Sequence, residues 1–112
     1  MNDTKMDLGR LHDLMLKIKV SYPFTPEKYP AMKGLAFGQP ITDFAVNHSC
    51  KHMAKTVGAL ATQCEAADHG GVMDREKLRE AAAKMTINAL SLANVLEMSA
   101  EELVEAVGKE LK

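Results

Sequence analysis

Aromatic side chains and long apolar runs are both scarce in this chain of 112 residues. Tryptophan is absent, and only two tyrosines and three phenylalanines are present. No apolar run reaches the ~20 residues of a membrane-spanning helix, and the opening Met-Asn-Asp-Thr-Lys does not resemble a signal peptide. The net charge of −1 gives no reason to expect nucleic acid or a membrane as a partner. We therefore expect a cytoplasmic protein with a single domain over residues 1–112.

Cysteine is also rare, and the two that occur cannot pair within one helix. Cys50 and Cys64 are separated by fourteen positions, which places them ~21 Å apart along a helix at ~1.5 Å per residue, too far for a disulfide. Buried free thiols are expected instead, because an unpaired cysteine packs as a small hydrophobic residue. The eight methionines predict an aliphatic core in which Met fills irregular gaps.

Proline is confined to one segment of the chain. Pro23, Pro26 and Pro30 lie too close together for a helix interior, which predicts a Pro-rich loop over residues 21–41 after a first helix over residues 1–20. Such a long loop in a small domain is often functional or mobile. We expect four side chains to anchor it on the helices, namely Phe24, Tyr29, Leu35 and Phe37. The alternative is that the aromatic rings of Tyr22, Phe24 and Tyr29 form a platform for a base.

Apolar residues recur at spacings of four and three in two long segments on either side of His69-Gly70-Gly71. This period is that of a helix with one apolar face. We call these positions the apolar stripe; they are Val46, Cys50, Met53, Val57, Leu60, Cys64 and Ala67, then Leu78, Ala82, Met85, Ala89, Leu92 and Leu96. The Gly-Gly pair predicts a turn, so the two segments should form a long antiparallel helical hairpin whose helices meet along the stripe.

Capping residues mark the predicted helix starts. Thr42 or Asp43 is expected to cap the second helix and Asp74 the third. Ser99-x-x-Glu102 is a capping box that begins a short C-terminal helix. The hairpin and this helix fill residues 42–112. The predicted fold is therefore all-α, of the four-helix-bundle type.

One flank of the apolar stripe carries small and polar side chains. We call it the polar flank; it consists of Ser49, His52, Thr56, Ala59 and Gln63, then Lys77, Ala81, Lys84, Asn88 and Ser91. Small residues allow helices to approach closely, so a second helix pair could cover this flank. We therefore predict a homodimer or a dimer of dimers, with the second and third helices at its centre.

The predicted hairpin and the C-terminal helix that follows it resemble a known family. The similarity lies in Leu92-Ala-Asn-Val-Leu96, in Ser99-Ala-Glu-Glu-Leu-Val104 and in His52-Met-Ala-Lys-Thr-Val-Gly58-Ala-Leu-Ala61. These segments are similar to the MazG-like all-α nucleoside triphosphate pyrophosphohydrolases, over roughly residues 44–111. The resemblance implies a helical bundle assembled as dimers or dimers of dimers. It also implies a Mg²⁺ site made by Glu-x-x-Glu on the second helix and Glu-x-x-Asp on the third.

The four positions that the resemblance assigns to Mg²⁺ carry no carboxylate. They are occupied by Thr56, Ala59, Ala81 and Lys84. Mg²⁺ requires oxygen ligands, so we expect a site that has lost metal-dependent catalysis. The first hypothesis is a MazG-like protein that binds a nucleotide or another phosphate-bearing small molecule without metal. Its candidate ligand-binding residues are His52, Lys77, Lys84 and Asn88, whose cationic members suit an anion.

Two other functions stay open. A divergent, active pyrophosphohydrolase could hold Mg²⁺ with carboxylates near the Gly-Gly turn, for which the candidates are Glu65, Asp68, Glu76 and Glu80. Our interpretation of these acids is a solvated face that points away from the stripe and the flank. The third hypothesis is an oligomeric interaction module without a small-molecule ligand.

A pair of histidines is the remaining feature of the second helix. His48 and His52 are four residues apart and could present two imidazoles to one Zn²⁺. Cys50 would point to another face, and no glutamate lies between the histidines in the metalloprotease manner. We therefore interpret them as partly exposed or hydrogen-bonded histidines. No cofactor is expected, apart from Mg²⁺ if the enzyme hypothesis holds.

Overall fold

Residues 2–112 fold into four α-helices and one short 3-10 turn. A computed structural model describes the backbone of residues 2–112 and the side chains of residues 8–112. The elements, in chain order, are α1 (Asn2–Ser21), the 3-10 turn Pro30–Met32, α2 (Gln39–Asp68), α3 (Arg75–Val95) and α4 (Ala100–Glu110). Over residues 2–112 there is no strand, which confirms the all-α prediction. No helix in this range is long and apolar enough to cross a membrane.

Helix α2 begins earlier than the sequence predicted. Its N-cap is Gly38, with a φ of 92°, and Pro40 lies in its first turn, where the missing N–H of proline costs nothing. The prediction that Thr42 or Asp43 caps this helix is wrong. The Thr42 hydroxyl instead donates to the Gly38 carbonyl, 3.3 Å away and inside the first turn. The Pro-rich loop is therefore shorter than predicted and ends at Gly38.

The other two predicted caps are confirmed. The Asp74 carboxylate accepts hydrogen bonds from the backbone N–H groups of Glu76 and Lys77, at 3.0 and 3.3 Å. At the start of α4 the Ser99 hydroxyl accepts from the backbone of Glu102, and the Glu102 carboxylate accepts from the backbone of Ser99. Each cap satisfies N–H groups that a helix leaves unpaired at its N-terminus.

The turn between α2 and α3 depends on its two glycines. Gly70 has a φ of 88°, a conformation that favours glycine. A Cβ atom at Gly71 would lie 2.9 Å from the Ala66 carbonyl oxygen, so a larger residue would push the turn away from the helix end. His69 is the C-cap residue, and its backbone N–H bonds to the carbonyls of the last turn.

Helix α3 lies in the middle of the fold. It packs against α2 along the hairpin and against α1 with its C-terminal half, and α4 packs against α1. The side-chain amide of Asn94 donates to the Met15 carbonyl, 2.8 Å away, and ties α3 to α1. The hydrophobic core is small and lies where α1, α3 and α4 meet; its members are Met15, Ile18, Leu90, Ala93 and Ala100.

The contact between α2 and α3 is rotated from the predicted one. Ser49, Thr56 and Ala81 of the polar flank are buried, together with half-buried stripe residues such as Met53 and Leu60. The rest of the stripe is exposed, and we call this part the outer stripe; it consists of Cys50, Val57, Cys64, Ala82, Met85, Ala89 and Leu96. The prediction that the two helices meet along the whole apolar stripe is therefore wrong, as is the prediction of buried thiols.

Polar groups bridge the two helices at the rotated contact. The Asn88 amide donates to the Thr56 hydroxyl between the two helices, at 3.4 Å. The Gln63 side-chain carbonyl accepts from the backbone N–H of Asp74 at the hairpin end, at 2.8 Å. Small side chains at the contact let the helices approach closely enough for these bonds. In an antiparallel pair corresponding flanks lie on the same side, so the outer stripes of both helices face one side of the hairpin.

Candidate functional site

The Pro-rich loop is anchored on α2 through a cluster of aromatic rings. Phe24 and Tyr29 stack with ring centroids 5.3 Å apart. Tyr29 also contacts Phe44 and His48 of α2, with centroid distances of 5.9 and 4.6 Å. The predicted anchoring role is confirmed for Phe24 and Tyr29. It is wrong for Phe37, which is 95% exposed.

His48 and His52 form a direct contact on α2. Their Nε2 atoms are 2.9 Å apart, so the interpretation as hydrogen-bonded histidines is confirmed. The His48 ring also stacks on Phe44 at 5.9 Å. Burial lowers the pKa of His48 below its ordinary 6.5, and the charges of His52 and of the lysines around it act in the same direction. His48 is therefore held in its neutral form near neutral pH.

A cavity of about 240 Å³ opens beside this aromatic cluster, between the loop, α2 and α3. We call it the aromatic cavity. Aromatic and aliphatic side chains form much of its wall, and Ser49, Thr56, Asn88 and Ser91 bring polar groups to it. The remaining lining residues are Tyr22, Phe24, Tyr29, His48, His52, Lys84 and Ile87. The proposed base platform and three of the four candidate ligand-binding residues, His52, Lys84 and Asn88, therefore share one cavity.

A wider groove of about 570 Å³ adjoins the cavity along the hairpin. The two share His52, Thr56 and Lys84 in their walls. We call it the cationic groove, because three lysines line it against a single carboxylate, Glu80. These lysines are Lys55, Lys77 and Lys84.

All four positions that the resemblance assigned to metal-binding carboxylates line the cationic groove. Thr56 and Ala81 lie at its buried floor, whereas Ala59 and Lys84 are exposed. The four positions therefore lie together, as their shared place on the polar flank predicted. Only Lys84 among them is charged, and its charge has the sign that repels a metal ion.

The four acidic residues that the enzyme hypothesis assigns to Mg²⁺ do not all line the groove. Glu80 lines the cationic groove, so the prediction that it points away from the flank is wrong. Glu65, Asp68 and Glu76 are exposed and are not part of either wall. Within residues 8–112, no three or more His, Cys, Asp and Glu side chains come together in a way that could hold a metal ion.

Sequence reasoning considered His48 only as a possible Zn²⁺ ligand and did not consider Lys55. A signal for His48 was available, because Phe44, His48 and His52 are spaced four apart and therefore form one row on the helix. Lys55 gave no such signal. It reaches the groove only because the contact between α2 and α3 is rotated.

The arrangement combines two different chemical surfaces within one site. The aromatic cavity offers apolar walls and ring faces, which suit a planar ring system. The cationic groove offers ammonium groups, which suit phosphate or carboxylate oxygens.

No protein-family model, curated protein or solved structure matches this chain.

Proposed function

We propose that this protein is a degenerate MazG-like helical protein that binds a nucleotide or a similar phosphate-bearing small molecule without a metal ion. The observation that carries the proposal is the convergence of Thr56, Ala59, Ala81 and Lys84 on one groove. In place of four carboxylates this groove holds Lys84, and Lys55 and Lys77 add two further positive charges. Such a groove attracts the phosphate oxygens themselves and not the Mg²⁺ that would accompany them.

The ligand would lie across both parts of the site. Its planar ring occupies the aromatic cavity near Phe24 and Tyr29, and its phosphate groups extend into the cationic groove. Lys84 lines both spaces, so its ammonium group is placed to contact the phosphate nearest the sugar. Neighbouring hydroxyl and amide groups, such as those of Ser49 and Asn88, can accept or donate hydrogen bonds to ring atoms.

Calorimetric titration of nucleoside mono-, di- and triphosphates tests this proposal. The expected result is binding that persists in EDTA and that weakens about tenfold or more in Lys84→Ala, as the loss of a charge-assisted hydrogen bond predicts. Arg79→Ala is the matched control, because Arg79 lies on the same helix and lines neither space. Equal affinity in the Lys84→Ala variant, or binding that requires Mg²⁺, would contradict the proposal.

The same nucleotides distinguish the two alternative functions. Mg²⁺-dependent release of pyrophosphate that disappears in Glu80→Ala would establish the divergent pyrophosphohydrolase, because Glu80 is the one carboxylate in the groove. A stable oligomer that no nucleotide binds or stabilises would establish the interaction module. Our proposal requires binding without turnover.

We also propose that the chain assembles as a homodimer through the outer stripe. Val57 is 50% exposed, and Met85 beside it is 37% exposed. Since Ser49, Thr56 and Ala81 of the polar flank are buried within the chain itself, the proposed interface moves from the flank to the outer stripe. The stripe lies on the side of the hairpin opposite the cationic groove, so a dimer leaves the groove open.

The dimensions of the chain support such an assembly. Its accessible surface is 8551 Å², whereas a folded monomer of this mass exposes about 6,000 Å². Its radius of gyration is 16.9 Å, against about 13 Å for a compact domain of this length. The excess surface, about 2,500 Å², matches the upper range that one subunit buries in an obligate dimer.

Sedimentation equilibrium with a matched pair of variants tests the dimer. Ala82 and Ala83 are adjacent, exposed and helical, but only Ala82 belongs to the outer stripe. Ala82→Glu is expected to dissociate the dimer, because an unpaired charge would be buried at the interface. Ala83→Glu should remain dimeric. A folded wild-type monomer at micromolar concentration would refute the assembly.

A further inference from the structure

Two imidazole side chains of α2 lie in contact at the edge of the aromatic cavity. The Nε2 atoms of His48 and His52 are 2.9 Å apart, and both side chains line the cavity wall. A hydrogen bond between one protonated and one bare nitrogen explains this distance by itself. Two nitrogens that bind the same metal ion must also lie about this close together, so the distance is compatible with a metal site as well.

The separation matches one coordination geometry. Two metal–nitrogen bonds of ~2.0–2.1 Å that meet at a right angle place their nitrogens ~2.9 Å apart, whereas a tetrahedral angle places them ~3.3 Å apart. Right angles between neighbouring ligands are typical of tetragonal and octahedral sites, which Cu²⁺ and Ni²⁺ prefer. We propose that His48 and His52 form a two-histidine chelate for a divalent transition-metal ion of this class. The chelate lines the cavity that the proposed nucleotide ring would occupy, but it needs no nucleotide to form.

The surroundings of His48 hold its ring in position for such a site. Phe24, Tyr29 and Phe44 contact the ring, with centroids 6.1, 4.6 and 5.9 Å away. A ligand that is already fixed loses little conformational entropy when the metal binds.

The coordination positions that the histidines leave free would face the aromatic cavity. Among residues 8–112, no third His, Cys, Asp or Glu joins the pair in a metal-holding group, so water or an oxygen anion would fill the remaining positions. The hydroxyl groups of Ser49 and Thr56 also line this cavity and could hydrogen-bond to bound water. A site with two protein ligands and open positions binds its metal exchangeably and can accept a further ligand.

Titration of the full chain with Ni²⁺, in nucleotide-free buffer after chelator treatment, tests the proposal. Ni²⁺ is the probe because Cu²⁺ would oxidise the exposed thiols of Cys50 and Cys64. Calorimetry is expected to give one Ni²⁺ per chain, with binding that weakens as the pH falls below about 6.5, where protons compete for imidazole. Paramagnetic broadening of imidazole NMR signals should centre on His48 and His52.

Four variants make the test decisive. His52→Ala changes an exposed side chain, and His48→Phe keeps an aromatic ring within the cluster, so both should fold. Each is expected to weaken Ni²⁺ binding about tenfold or more. His12→Ala and His69→Ala remove exposed histidines elsewhere and should leave the affinity unchanged. Equal Ni²⁺ affinity in wild type and His52→Ala, or broadening centred on another histidine, would overturn the proposal and leave a hydrogen-bonded pair.

Discussion

The side-chain amide of Asn88 donates a hydrogen bond to the hydroxyl of Thr56 across the hairpin, at 3.4 Å. The same hydroxyl donates to the carbonyl of His52 within α2, at 3.1 Å. Thr56 is only 8% exposed and lines both the aromatic cavity and the cationic groove. Thr56 therefore links the two helices of the hairpin at the point where the cavity and the groove meet.

Replacing Thr56 by valine removes this link without changing the side-chain volume. Thr56→Val is expected to lower the free energy of unfolding by about 1 kcal/mol, because the partly buried Asn88 amide loses its acceptor. Thr62→Val is the control, since Thr62 lies on the same helix and makes only the bond to its own i−4 carbonyl. Urea unfolding followed by circular dichroism measures both variants. A loss of similar size in the control would assign the effect to the threonine bond within the helix.

The neutral state of His48 predicts a dependence of stability on pH. Burial lowers the folded pKa of His48 below 6.5, so the unfolded chain binds this proton at a higher pH than the folded chain. The free energy of unfolding is therefore expected to fall as the pH drops from about 6.5 to the lower folded pKa of His48. His48→Phe should reduce the slope of stability against pH in this window, whereas His69→Gln should not. Thermal unfolding between pH 5 and 8 measures the slopes.

The capping box at α4 predicts a second pH effect, at lower pH. The backbone N–H of Ser99 donates to the Glu102 carboxylate at 3.0 Å, and this bond, with a smaller contribution from the Ser99 side chain, lowers the pKa of Glu102 below its ordinary 4.5. The stabilisation is present above about pH 4.5 and is lost as the pH falls through the folded value. Glu102→Gln should therefore be less stable than wild type at pH 7, and the difference should shrink at pH 3. An equal difference at both pH values would contradict the prediction.

Removal of the Ser99 hydroxyl tests the same cap at neutral pH. Ser99→Ala is expected to cost about 1 kcal/mol of stability, the usual value of a lost N-cap. Hydrogen exchange should be faster at the first amides of α4 than in wild type, while the amides of α2 are unchanged. Unchanged exchange at the start of α4 would show that packing against α1 holds this helix without its cap.

The helices and their caps could be predicted because they depend on local sequence. Asp74, Ser99 and the Gly70-Gly71 turn act on backbone groups within four residues, and their patterns specify geometry directly. The start of α2 was predicted three residues late, because Pro40 was assigned to the loop. Proline fits the first turn of a helix as well as it fits a loop, and this sequence alone does not separate the two.

The face of contact between α2 and α3 could not be predicted from the apolar period. Val57 and Thr56 are adjacent, and hydrophobicity favours the burial of Val57. The chain buries Thr56 instead, and its hydroxyl donates to the His52 carbonyl and accepts from the Asn88 amide. This pairing depends on the register of two helices that are far apart in the sequence. For the same reason the sequence could not predict that Lys55 lines the cationic groove, because Lys55 reaches the groove only through the rotated contact between α2 and α3.

The outer stripe of α2 is symmetric about its central residue, and this symmetry makes a prediction about the proposed dimer. Cys50 and Cys64 lie seven residues before and after Val57, and both thiols are exposed. If a two-fold axis passes near Val57, the two α2 helices run antiparallel and Cys50 of one subunit lies opposite Cys64 of the other. With a crossing angle near 20°, the helices diverge by only ~4 Å at these positions, but near 50° they diverge by ~9 Å.

Mild oxidation is expected to form two Cys50–Cys64 bridges between subunits, because the smaller divergence leaves the thiols within reach of a disulfide. Non-reducing electrophoresis detects the covalent dimer, and peptide mass spectrometry identifies the paired cysteines. In the antiparallel arrangement Cys50→Ser and Cys64→Ser should each abolish all crosslinking, since every bridge needs one of each. In a parallel arrangement each single variant would still crosslink through its remaining cysteine. That result, or a dimer that does not crosslink at all, would exclude a two-fold axis at Val57 with a small crossing angle.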